Sequence, residues 1–140
     1  MLNNTVTWVQ SLIEESHTLE GFEKVWERIG SNCFAHDAAV LSLIIYLNSD
    51  WDGIDKFIDG EIQRLKLHDF LNTMKVTKTP KVISRISAST SPDDAALITI
   101  GVFRLFENKA DKKVFVKHLV LKDDVSWYAL SQKLIYKNIK

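Results

Sequence analysis

One cysteine, two prolines and five glycines in 140 residues leave this chain short of staples and punctuation. With Cys33 alone no disulfide forms within the chain, which fits a reducing compartment. So little Gly and Pro, beside a hydrophobic share of 46%, excludes a low-complexity chain and argues for a packed core. Neither sign of charge is in excess: 18 Lys and Arg balance 18 Asp and Glu. The basic surplus that nucleic-acid or anionic-membrane binding normally needs is therefore missing. The longest strongly apolar stretch, Ala38–Leu47, falls short of the ~20 residues of a spanning helix. Met1-Leu2-Asn3-Asn4 lacks the basic-then-apolar order of a secretion signal. The histidines have no ligand-like spacing and there is no glycine-rich phosphate loop, so neither a metal nor a cofactor is expected. These readings give one soluble, intracellular domain over residues 1–140, cytosolic or nuclear.

What is present falls into two halves. Asn3–His17 reads as an amphipathic helix, and Leu19–Ile29 as a second with Phe22, Val25, Trp26 and Ile29 on one stripe and Gly30 to end it. Ala35–Leu47 reads as a helix start passing into a strand near Ile44. Asn48 to Gly60, with Asp-Gly at Asp52-Gly53 and again at Asp59-Gly60, reads as a small hairpin and its exit turn. Glu61–Met74 follows as a third helix. Lys75–Lys81 is a basic connector in which Pro80 bars the helix from continuing.

The second half carries four runs rich in β-formers: Val82–Thr90, Ala95–Phe106, Lys113–Lys122 and Ser126–Tyr136. Ser91-Pro92-Asp93-Asp94, Asn108-Lys109-Ala110-Asp111 and Asp123-Asp124 supply turn chemistry between them, which predicts an antiparallel meander. Both alternations of Ala95–Phe106 are mostly apolar, so one face of this sheet lies on the helices and the other wants a cover. The expected fold is α+β, with N-terminal helices packed on a strongly bent antiparallel sheet. The open face would carry Leu97, Thr99, Gly101 and Phe103 together with His118 and Gln132. An apolar patch of that breadth is rarely left exposed by a monomer.

This order of elements resembles the nuclear transport factor 2-like family, a cone-shaped fold. Trp51-Asp52-Gly53 and Phe57-Ile58-Asp59-Gly60 before a helix ending in Phe70-Leu71 are similar to the family's hairpin stretch. Ser87–Asp94 resembles the segment leading through a Pro-Asp turn into the central strand, where Gly101 matches a usual glycine. Trp127–Tyr136 resembles the closing strand, with Ser131-Gln132 departing from the usual polar pair. The likeness is strongest over 48–138. It implies a non-enzymatic, dimerising adaptor in nucleocytoplasmic transport of the mRNA-export type. Its partner would be a second domain of the same fold, as homo- or heterodimer, with a transport receptor, the small GTPase Ran or nucleoporin repeats as further contacts. A second protein contact is implied at Trp51, Asp52, Glu107 and Asp111.

Some relatives are isomerases or dehydratases that use the cone, so a small-molecule site is the alternative. Its candidates are His36, Asp37, Tyr46, His118 and Tyr136, which would need burial and an orienting partner to act as acids or bases. Adjacent residues rarely face one another, so His36-Asp37 reads better as a cap or surface pair. The basic stretches Lys75–Lys81 and Lys109–Lys113 lack interleaved aromatics and read as solvated loops.

Overall fold

Ser91-Pro92-Asp93-Asp94 opens a helix. Ser91 is extended and its hydroxyl oxygen accepts the Asp94 backbone N–H at 3.1 Å, Pro92 occupies the first turn, and two acids follow at the positive end of the helix dipole. Asn108 acts alike, its Oδ1 accepting the Asp111 backbone N–H at 2.8 Å. Chemistry that reads as turns between strands therefore caps helices, and the segments between caps wind accordingly.

A computed structural model describes residues 2–49, 53–75, 78–89, 91–121 and 134–139. Among them the elements are α1 (Leu2–Glu15), α2 (Leu19–Asn32), α3 (Ala35–Asn48), α4 (Ile54–Arg64), α5 (His68–Met74), α6 (Thr79–Ser87), α7 (Pro92–Leu105), α8 (Lys109–Leu121) and a closing 3₁₀ turn, Tyr136–Asn138. No strand occurs among the described residues, which overturns the α+β expectation and its bent sheet. Val82–Thr90, Ala95–Phe106 and Lys113–Lys122 are helical over α6, α7 and α8. Ser126–Tyr136 lies mostly outside the described residues.

Helices α3 and α7 form the centre. Every residue from Ala38 to Ile45 and from Ala95 to Phe103 is buried, so neither helix has a wet side over that span. A helix apolar all round belongs inside a larger assembly of helices. The two pack mainly on each other, and α2, α4, α5 and α6 complete the cover of α7, with α1, α2 and α6 against α3 and α8 against α6. Their few polar side chains are satisfied within their own helix: Ser42 donates to the Ala39 carbonyl at 3.0 Å and Thr99 to the Ala95 carbonyl at 2.7 Å.

The outer helices are amphipathic. Phe22, Val25, Trp26 and Ile29 are buried as the stripe predicts, and Phe22 and Trp26 meet Phe57 of α4 edge-on, at 5.3 and 6.1 Å between centroids. Thr18 caps α2 by accepting the Gly21 N–H at 3.1 Å, and Arg28 reaches back to Glu15 at 2.5 Å. Gly30 does not end α2, which runs on to Asn32. A Cβ at Gly30 would overlap the Asp93 carboxylate, so the glycine lets α2 approach the start of α7.

The helix expected over Glu61–Met74 is broken. Lys66 is left-handed (φ 56°), the Leu67 N–H bonds the Ile62 carbonyl at 3.0 Å and the Lys66 N–H that of Gln63 at 3.1 Å. This Schellman arrangement stops α4 and re-aims α5. Pro80 stands in the first turn of α6, where a missing N–H costs nothing, and so begins a helix rather than barring one. The 3₁₀ turn is tied to α3: the Asn138 amide donates to Asn48 Oδ1 at 3.0 Å, and Asn48 donates to the Leu134 carbonyl at 2.9 Å.

Candidate functional site

The last turns of α3 and α7 and one face of α4 each end in a polar side chain, and these converge. Asp55 and Asp59 lie one turn apart on α4 and point to the same side. Arg104, the only charged residue in the long apolar run of α7, stands in that helix's last turn, where the dipole favours a cation. Its Nη1 donates to Asp55 Oδ1 at 3.2 Å and its Nη2 to Asp59 Oδ1 at 2.6 Å. The Tyr46 hydroxyl donates to the same Asp55 Oδ1 at 2.5 Å. Arg104 is a quarter exposed, whereas both carboxylates are more than half exposed, at 62% and 61%.

These contacts set protonation states. Burial, then the hydrogen bond and charge of Asp55, push the Tyr46 phenol well above its ordinary value. Burial alone would lower Arg104, but the hydrogen bond and charge of Asp59, followed by Tyr46 and Asp55, outweigh it and hold the guanidinium above its usual range. A phenol held protonated and a guanidinium held charged do not exchange protons near neutral pH. The cluster orients groups; it is not an acid–base pair.

Around it the surface is hollow. On one side lies a cavity of about 370 Å³, walled by Tyr46, Asp55, Asp59, His68 and Asn72 over Ile62, Leu71 and Leu105. On the other lies one of about 530 Å³, with Lys75, Glu107, Asn108 and Asp111 at its rim and Met74, Val102 and Phe106 below. Arg104 and Leu105 line both, so the two hollows adjoin at Arg104, the saddle of a two-part groove. Gly101 contributes to the floor. A Cβ there would stand 2.8 Å from a Leu71 methyl, so its absence lets α5 lie close on α7.

A smaller, mostly apolar hollow of about 310 Å³ is lined by Trp8, Leu12, Arg28, Ile29 and Cys33. Phe34, the next residue, is 84% exposed. Burial, then the charge of Asp37, raises the Cys33 thiol, which disfavours the reactive thiolate.

The expected sheet face is not assembled. Leu97, Thr99, Gly101 and Phe103 are buried within α7, because a helix turns successive residues through all directions and this one is enclosed on every side. His118 is exposed on α8, its Nδ1 2.9 Å from the Val114 carbonyl oxygen, and Gln132 lies outside the described residues. Of the second expected contact, Trp51 and Asp52 lie outside the described residues, while Glu107 and Asp111 do line the groove. His36 and Asp37 both belong to the first turn of α3, with His36 Nδ1 3.3 Å from Ser87 Oγ of α6. Tyr136 opens the 3₁₀ turn and is not among the residues lining either hollow of the groove. Tyr46 alone of the acid–base candidates reaches the site.

Asp55, Asp59 and Arg104 escaped the sequence reading. The signal was there in two parts: a lone arginine closing an apolar run, and two aspartates four residues apart. Among the described residues no group of three or more His, Cys, Asp or Glu is placed to hold a metal, and no helix is long and apolar enough to cross a membrane. The chain matches no family model, and neither a characterised protein nor a solved structure is found similar to it.

Proposed function

We propose that the chain is a non-enzymatic protein-interaction module that receives a segment of a partner polypeptide in the groove crossing Arg104. The observation that carries this reading is the saddle itself. The Arg104 guanidinium is fixed between two carboxylates before any partner arrives, over an apolar floor open on both sides. A recognition surface whose polar groups are already oriented loses less entropy on binding. A floor of Ile62, Leu71, Leu105 and Phe106 suits side chains rather than solvent. The transport role and its named partners followed from the family likeness through a sheet face. The groove supports the adaptor role without them.

The test is selection of short peptides from a displayed random library, followed by affinity measurement on each winner. Asn72 is exposed on the groove wall, and Asn72→Trp blocks it without adding charge. Winners that bind this variant about tenfold more weakly, a loss of about 1.4 kcal/mol, support the groove. Winners that bind both forms equally, or no winners at all, overturn it.

A further inference from the structure

We propose that the segment this groove accepts carries two basic side chains separated by an uncharged one that crosses Arg104. The inference rests on the interaction reading above and adds the chemistry of the partner. Charge complementarity carries it. The chain as a whole is neutral, yet the groove holds four carboxylates: Asp55 and Asp59 on one side of the saddle, Glu107 and Asp111 on the other. Against them stand Arg104, already forked between two aspartates, and Lys75, exposed at the far rim, with His68 at the near lip.

The carboxylates are not used up. Asp55 and Asp59 each spend Oδ1 on Arg104 and leave Oδ2 for another donor. Asp111 Oδ2 accepts from the Asn108 amide, and Glu107 makes no hydrogen bond among the described residues. Negative potential therefore lies at both ends of the groove, with a fixed positive charge between them. A lysine or arginine head over the saddle would meet the guanidinium, whereas an aliphatic side chain there rests on Leu105. An extended segment places alternate side chains on one side about 6.5–7 Å apart, so two cations flanking a central side chain stand about 13–14 Å apart, one on each side of the arginine. Like-charge juxtaposition at the saddle excludes an unbroken basic run.

The experiment uses the full chain and three labelled peptides, read by fluorescence polarisation. The first has two lysines flanking a leucine with small spacers, the second has glutamines for the lysines, and the third has a lysine for the leucine. The first is expected to bind about tenfold tighter than the second, and Asp59→Asn and Glu107→Gln are each expected to weaken it by about two- to fivefold, the range of a solvent-exposed ion pair. Affinity also falls as salt is raised, and the third peptide binds more weakly than the first. Both substituted carboxylates are exposed, and a thermal melt of each variant shows whether the fold is kept. If the glutamine peptide binds as tightly, and is lost in Asn72→Trp, the interaction reading survives and this inference fails. If the lysine peptide binds but neither carboxylate variant changes it, the inference fails too. If nothing binds in a groove-dependent way, both fall together.

Discussion

Thr99 sits at the middle of α7 with none of its surface exposed, and its hydroxyl bonds only the Ala95 carbonyl of its own helix. Thr99→Glu therefore pushes a carboxyl into the contact of two enclosed helices. To stay neutral at about pH 7 that carboxyl must be held nearly three units above its usual ~4.3, which costs about 4 kcal/mol at ~1.4 kcal/mol per unit. Its extra length adds about 1–3 kcal/mol of overpacking. Together these rival the whole stability of a domain, about 5–15 kcal/mol. Thr99→Val, which keeps the shape and drops a local hydrogen bond, should stay within about 1.5 kcal/mol of the parent. The sign with pH is fixed. The introduced carboxyl has a raised folded-state pKa, so its penalty grows as pH rises above ~4.3 and fades below it. Urea unfolding followed by far-ultraviolet circular dichroism at two pH values reads all of this. A Thr99→Glu protein with the parent's midpoint near neutral pH would refute the enclosed α3–α7 pair, for on an open face the new charge would be solvated.

Other perturbations test the periphery. Phe22→Ala empties the corner where Trp26 and Phe57 meet it and should cost about 3–5 kcal/mol in chemical unfolding, a smaller loss meaning that α4 is not held there. A double-mutant cycle of Arg104→Met and Asp59→Asn should give a coupling of about 1 kcal/mol that shrinks in high salt, because Asp59 is mostly exposed; zero coupling would dissolve the saddle. In an ultraviolet alkaline titration one tyrosine should ionise late, and Tyr46→Phe should remove that late step. Burial and the Asp55 hydrogen bond together raise this phenol, so their pH-dependent contribution to the fold is fully present below its ordinary 10.0 and is lost as pH rises through the raised value.

How much of this was legible differs from helix to helix. The α2 stripe was, since Phe22, Val25, Trp26 and Ile29 show a helix with one wet side, and periodicity exists only where water touches one side. The two central helices show none. Ala95–Phe103 and Ala38–Ile45 are apolar in every direction, and a buried strand and a buried helix then share one pattern. Length was the remaining clue, for a dozen residues without a break exceed the usual ~5–6 of a strand. Pro80 and Pro92 misled in different ways, the first read as a stop after a helix and the second as part of a turn between strands, whereas each stands in the first turn of a helix. The site was hidden behind these choices: i and i+4 share a face on a strand as well as on a helix, but reading Asp59-Gly60 as a turn took Asp59 out of the element that carries Asp55.

A helix with no water-facing side has a history as well as a place. During synthesis α3 leaves the ribosome while α7 is still unmade, and at about 5–20 residues per second it waits on the order of several seconds for the surface that shields it. Over that interval α1 and α2 are already made, but the side of Val40 to Ile45 that α7 covers has no partner. Translational pausing between the two helices should therefore send more of the product into aggregates than pausing after α7.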